Sequence, residues 1–133
     1  MNIDEIRVKT IGDIPIGKMG LAHYLENYEQ FLGPLRNRPL DVLELGVANG
    51  DSLKHWEEWL PHARITGLDI NPCPVAFDSG RVACYVGEQQ DRALLDRIGA
   101  ERAPDGFDVV IDDAAHVGQL ARISFWHIFE HHL

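Results

Sequence analysis

The chain has 133 residues, 45% of them hydrophobic and 25% charged, which bounds it to one soluble globular domain, long enough for a core but short for a complete doubly wound sheet. A formal net charge of −9 argues against non-specific nucleic-acid binding, which needs lysine and arginine to neutralise phosphates. No apolar run approaches a membrane span and the polar start MNIDEIRVK is no signal peptide, so neither a nucleic acid nor a membrane is expected as a partner and the expected compartment is cytoplasmic.

Residues 1–19, with Gly12, Pro15 and Gly17 and no sustained period, read as an irregular arm. From Gly20 to Leu35 the apolar positions Leu21, Tyr24, Leu25, Tyr28 and Leu32 recur at three and four residues, an amphipathic helix closed by Pro34 and Pro39. That helix packs on the core or lids the site. The expected organisation is an arm and helix over 1–39, then an α/β domain over 40–133.

The stretch Leu40 to Trp56, LDVLELGVANGDSLKHW, packs a strand, a glycine turn and a helix start into seventeen residues. Val42, Leu43 and Leu45 form a run too short for a helix, the pattern of a strand buried on both faces. Gly46 and Gly50 bracket the turn, where a missing side chain lets the backbone bend and a ligand approach. Asp51 or Ser52 is expected to cap the helix, whose stripe is Leu53, Trp56 and Leu60.

A dinucleotide site would show G-x-G-x-x-G, with the pyrophosphate at the helix N-terminus. Here Glu44 precedes the first glycine and Ala48 takes the middle place. A carboxylate beside the turn repels a pyrophosphate but accepts from an ammonium or hydroxyl, which favours a ligand such as S-adenosyl-L-methionine (SAM) over a nicotinamide dinucleotide.

The next strand, Arg64 to Asp69, places an acid 25 residues after Glu44 (69 minus 44), where it can accept from both ribose hydroxyls. Asn71-Pro72-Cys73-Pro74 then holds a tight loop. Cys73 and Cys84 lie in no CxxC arrangement and read as buried or indifferent thiols. A third strand, Arg81 to Val86, ends in Gly87-Glu88-Gln89-Gln90-Asp91; Gln90 or Asp91 can meet an adenine edge, and Asp91 can equally cap a helix over Asp91 to Ile98.

The fourth strand, Phe107 to Asp112, runs into Asp113-Ala114-Ala115-His116 and a last helix. Alternating strand and helix patterns imply a parallel sheet with right-handed crossovers. The expected fold is α/β, a Rossmann-like doubly wound parallel sheet, incomplete, with its first four strands in the order 3-2-1-4 and an N-terminal helix. Every strand then ends in polar residues on one ligand edge.

Asp113 and His116 stand three apart, where one turn can bring a carboxylate and an imidazole together. Asp113 suits a hard divalent cation and His116 a general base, since an imidazole titrates near working pH. The alternative is that Asp112 or Asp113 caps the last helix. The other histidines, His23, His55, His62, His127, His131 and His132, read as surface or packing residues.

Together HYLENYEQFLGPLRNRPLDVLELGVANGDSLKHW, ITGLDINP, GEQQD and FDVVIDDAAH resemble class I SAM-dependent methyltransferases, and more narrowly the metal-dependent sugar O-methyltransferases of macrolide biosynthesis. The resemblance covers nearly all of the chain. It implies a methyltransferase of a glycosylated natural product, using SAM and Mg2+ (or a similar divalent cation) on a small-molecule substrate. It also implies a cofactor-facing set of Glu44, Gly46, Gly50, Ser52, Asp69, Gln90, Asp91 and Asp112, with Asp113 on the metal and His116 as catalytic base.

The family places two further acidic metal ligands on a following strand and its loop, which this sequence does not contain, so it looks like the N-terminal part of a longer enzyme or a shortened gene. In the last helix Val117, Phe125 and Ile128 share one side while Ile123 and Trp126 point away, so burying all of them requires a second surface: a missing C-terminal segment or the partner in a homo-oligomer.

Overall fold

The central strand β1, Asp41–Leu45, is buried along nearly its whole length because helices cover both of its faces. The structure, a computed structural model, describes residues 28–114 and 117–133; the expected arm, the start of the 20–35 helix and His116 lie outside them. After β1 come α1 (Asp51–Trp59), β2 (Arg64–Asp69), β3 (Val82–Val86), α2 (Arg92–Arg102), β4 (Val109–Asp112) and α3 (Gly118–His131). The four strands are parallel and ordered β3-β2-β1-β4, the order expected from the sequence.

The alternation of side chains along β1 divides the core in two. Val42 joins Leu53, Trp56, Trp59, Leu60 and Ile65 in the layer under α1. Leu43 and Leu45 join Leu95, Ile98, Phe107 and Ile128 in the layer under α2 and α3. The expected stripe of Leu53, Trp56 and Leu60 is buried. Residues 28–32 are helical and lead into a 3-10 turn, Gly33–Leu35; Tyr28, Leu32 and Leu35 pack on the α1 layer, so this part of the chain covers core. Tyr28 meets Trp56 edge-on, with ring centroids 4.9 Å apart.

Several boundaries differ from expectation. Neither Asp51 nor Ser52 caps α1: its N-cap is Gly50, in the left-handed region at φ 86°, because the turn enters the helix through a conformation that a side chain disfavours. α2 extends to Arg102 rather than stopping at Ile98, and its N-cap is Asp91, whose carboxylate accepts from Leu94 N at 3.1 Å. α3 buries Ser124 and Ile128, one turn apart, while Val117, Phe125, Trp126 and Phe129 stay half or more exposed. Val117 and Phe125 therefore do not share the buried side with Ile128, because the helix is rotated to present Ser124 to the core.

The C-terminal end of α1 is closed by a residue from another element. Arg81 Nη1 donates to the carbonyls of Leu60 and Ala63, at 3.1 and 2.7 Å, and its Nη2 donates to that of Glu57 at 2.8 Å. A guanidinium suits these carbonyls, which lie at the negative end of the helix dipole. Arg81→Ala is expected to lower stability by roughly 2 kcal/mol, since charged hydrogen bonds are worth more than neutral ones. Urea unfolding checks this, and an unchanged midpoint would remove the cap's role.

Candidate functional site

The site is built by backbone bonds that continue the sheet past its strands. Gly46 N donates to Leu68 O at 2.8 Å, Asp113 N to Leu45 O at 2.8 Å, and Gly87 N to Asp69 O at 2.9 Å. The loops after all four strands are thus held side by side along one edge, the place where open α/β sheets bind ligands. Gly46 sits at φ 88°, and a Cβ built there would lie 2.2 Å from the carbonyl oxygen of Asp113. The glycine therefore permits a close approach of the β4 loop; this contact, between two parts of the chain itself, cannot be read from the glycine pattern.

Asp69 is the hub of the edge. One carboxylate oxygen accepts from Val47 N and Ala48 N at 2.8 and 2.9 Å, and the other from Asn71 N at 2.9 Å. Desolvation pushes this carboxyl up, but the backbone donors of Asn71, Ala48, Val47 and Ile70 outweigh it and hold the group below its ordinary value. Its anionic form thus ties the glycine turn to the end of β2.

Glu44 is placed differently. Its strand alternation turns it under α1 rather than onto the open rim, and it is only 2% exposed. It accepts from the Ser52 hydroxyl and from Trp56 Nε1, the latter at 2.5 Å. Burial raises its pKa, the bonds from Ser52 and Trp56 oppose that, and the charge of Asp113 adds to the rise. Ser52 is spent on this buried acid.

The remaining residues lie toward the surface. Gln90 donates to Glu88 at 3.0 Å and is half-buried; Asp91 is exposed and caps α2. Asp112, the last residue of β4, and Asp113, just past it, are exposed. Asp112 accepts from Ala114 N at 3.2 Å and faces Gln89 Nε2 at 3.3 Å. Neither aspartate caps α3, whose N-cap is Val117 with no side-chain bond, so that alternative is excluded. His116 lies outside the described residues.

Sequence reasoning passed over Gln89, which is buried and donates to Ser124 Oγ at 2.9 Å, linking the loop after β3 to α3. Its signal was its place just past a strand, shared with Gln90. Of the two readings of the cysteines, buried or indifferent, full burial is excluded: Cys73 is a free thiol half-buried against Gly50, and Cys84 is free and exposed. Partial desolvation of its sulfur, then a hydrogen bond with the Cys73 thiol, push Cys84 up to about 12. Of the histidines, His55 is buried in packing and His62 is exposed, while His127 and His132 pair with Asp96.

Chemically, the rim offers acceptors. The segments 46–51, 69–74, 87–91 and 112–114 contain three glycines and six acidic side chains but no lysine or arginine. Such a donor set suits a ligand carrying an ammonium, a sulfonium and hydroxyls, and lacks the cations that phosphates attract. For a divalent metal, Asp113 offers the hard oxygen that magnesium takes. Among the described residues, the rim brings together no three metal-ligating groups.

No family model matches the chain. It is 37% identical over 120 residues to the 8-demethyl-8-(2-methoxy-alpha-L-rhamnosyl)-tetracenomycin-C 3'-O-methyltransferase of Streptomyces olivaceus, covering 84% of this chain and 30% of that protein. It is 35% identical over 122 residues to the mycinamicin VI 2''-O-methyltransferase of Micromonospora griseorubida, covering 86% of this chain and 30% of the relative. Among solved structures, the MycE methyltransferase of the mycinamycin pathway, in complex with Mg and SAH, matches with a TM-score of 0.83 and 30% identity, over 100% of this chain and 35% of that one. The chain thus spans about a third of the length of the proteins it matches. Over the residues it contains, it is a relative of the sugar O-methyltransferases of macrolide and tetracenomycin pathways, and it carries four parallel strands of their Rossmann-like methyltransferase fold.

Proposed function

We propose that the chain is the cofactor-binding part of a SAM-dependent O-methyltransferase acting on a hydroxyl of a glycosylated natural product, with Mg2+ assistance and a histidine base. The observation that carries this reading is the cross-tied rim, acidic and free of lysine and arginine, in a chain whose relatives are sugar O-methyltransferases. SAM supplies an electrophilic methyl group on a sulfonium.

The chain's own residues do the rest. Asp69 fixes the glycine turn through Val47 and Ala48 and presents its remaining acceptor capacity to ribose hydroxyls. Gly46 and Gly50 shape the turn, and Glu44, held by Ser52 and Trp56, sets its charge from beneath rather than by open contact. Gln90, Asp91 and Asp112 border the adenosyl group. Asp113 would be one ligand of the divalent cation, and His116 would take the proton from the acceptor hydroxyl at an imidazole nitrogen.

A second reading has one observation in its favour: a SAM-binding module, not catalytic by itself, that works with a partner chain. Phe125, Trp126 and Phe129 form an exposed aromatic cluster on α3, with Phe125 and Phe129 stacked at 5.7 Å. Calorimetric titration with SAM, NAD and magnesium, paired with a transfer assay, tests both. SAM is expected to bind and NAD is not. His116→Ala is expected to lower transfer by about 10²–10⁴-fold with SAM affinity nearly unchanged; equal loss of both would contradict the base role. SAM binding without any transfer by the 133-residue chain would favour the second reading, and NAD binding in place of SAM would overturn both.

A further inference from the structure

At the far end of the sheet from this rim, α2 and α3 meet through three side chains with a different chemistry. His127 Nε2 and His132 Nε2 approach the same carboxylate oxygen of Asp96, at 2.6 and 2.7 Å. One ligand atom from each residue lies within 4.8 Å of the others. The imidazoles are largely buried, with side chains 12% and 14% exposed, while Asp96 is 56% exposed. The placement is independent of the rim: the carbonyl of His132 accepts from Phe107 N at 2.6 Å, just ahead of the start of β4.

We propose that Asp96, His127 and His132 form a binding site for a borderline divalent transition-metal ion, of the zinc, cobalt or nickel kind. Two imidazole nitrogens and one carboxylate oxygen are a common ligand set for such ions, whereas magnesium takes oxygen ligands and retains water. Zinc binds imidazole nitrogen and carboxylate oxygen at about 2.0–2.2 Å, so tetrahedral ligands stand about 3.3–3.5 Å apart. Both nitrogens lie within hydrogen-bond distance of Asp96 Oδ1, so an ion bound here requires that oxygen to withdraw and the three ligand atoms to settle at tetrahedral spacing, an adjustment open to a half-exposed carboxylate.

The fold keeps room for this arrangement. A Cβ built at Gly99, one helical turn from Asp96, would lie 2.4 Å from His132 Nδ1, so only glycine lets that ring lie against α2. His131, whose ring centroid is 4.8 Å from that of His127, or a water completes the coordination. The ion would clip the end of α3 to α2 and serve stability rather than the chemistry proposed for the rim.

Zinc titration of the purified 133-residue chain against a competing chelator tests this, with cobalt as the spectroscopic probe. Expected results are one zinc per chain, visible absorption typical of four-coordinate cobalt, and no displacement by excess magnesium. Asp96→Asn and His132→Ala should each weaken zinc binding at least about tenfold, and His62→Ala, at an exposed histidine elsewhere, should leave it unchanged. If His132→Ala fails to fold, Asp96→Asn decides alone, because it alters a surface carboxylate. Absence of zinc binding, or binding indifferent to Asp96→Asn, would overturn the proposal and leave the trio as a hydrogen-bonded clasp.

Discussion

Gly46→Ala is expected to cost at least about 3 kcal/mol of stability. Two effects add: an alanine at φ 88° pays about 1–2 kcal/mol for the left-handed conformation, and its methyl meets the backbone of Asp113 and Ala114 at 2.2 to 2.7 Å. No rotamer change relieves the second effect, because the obstructing atoms are main chain. Gly80 is the control: its φ is 73° and a Cβ there meets nothing within 4 Å. Gly80→Ala should therefore lose only about 1 kcal/mol. Denaturant unfolding of both variants separates the terms, and equal losses would show that the β4 loop moves aside freely.

Glu44 gives the second large effect. Glu44→Ala is expected to destabilise by about 3 kcal/mol, because it leaves the Trp56 indole N–H without its acceptor and opens space beneath α1. Glu44→Gln keeps a carbonyl oxygen for Trp56 and an amide that can donate to Ser52, so it should fall within about 1 kcal/mol of the parent at neutral pH. The pH response separates charge from shape. The folded pKa of Glu44 lies above its ordinary value, so the native state holds this proton to higher pH than the unfolded chain does. This group's contribution falls as pH rises from the ordinary value through the folded one, and the cost of the buried anion is complete above that. Glu44→Gln should remove that part of the slope. An unchanged slope would show that Glu44 is not the titrating group.

The strand order was legible in the sequence because each strand is a short apolar run ending in a polar turn, and the comb of such turns has few parallel arrangements. The rim acids Asp69, Asp112 and Asp113 were legible for the same reason. What Asp69 binds was not, since the N–H groups of Val47 and Ala48 belong to the main chain and leave no trace in residue type. Trp56 read only as one member of an apolar stripe, although its indole N–H decides where the Glu44 carboxylate lies. Arg81, Gln89 with Ser124, and Asp96 with His127 and His132 join residues 18 to 36 positions apart, and no local period announces them. Asp91 could be read either as a cap or as a ligand contact, and its bond to Leu94 N shows the cap.

The position of β1 also shapes the order of assembly. Val42 pairs with Ile65 on one side but with Val109 on the other, 67 residues later (109 minus 42). A nascent chain that has made only three strands therefore leaves β1, buried along nearly its whole length in the finished fold, with an open edge, ready to pair with another copy. A chain cut before Val109 is expected to aggregate through that edge, whereas one that reaches Asp112 pairs the edge with β4 and still needs α3, through Ile128, to cover the layer of Leu43 and Leu45.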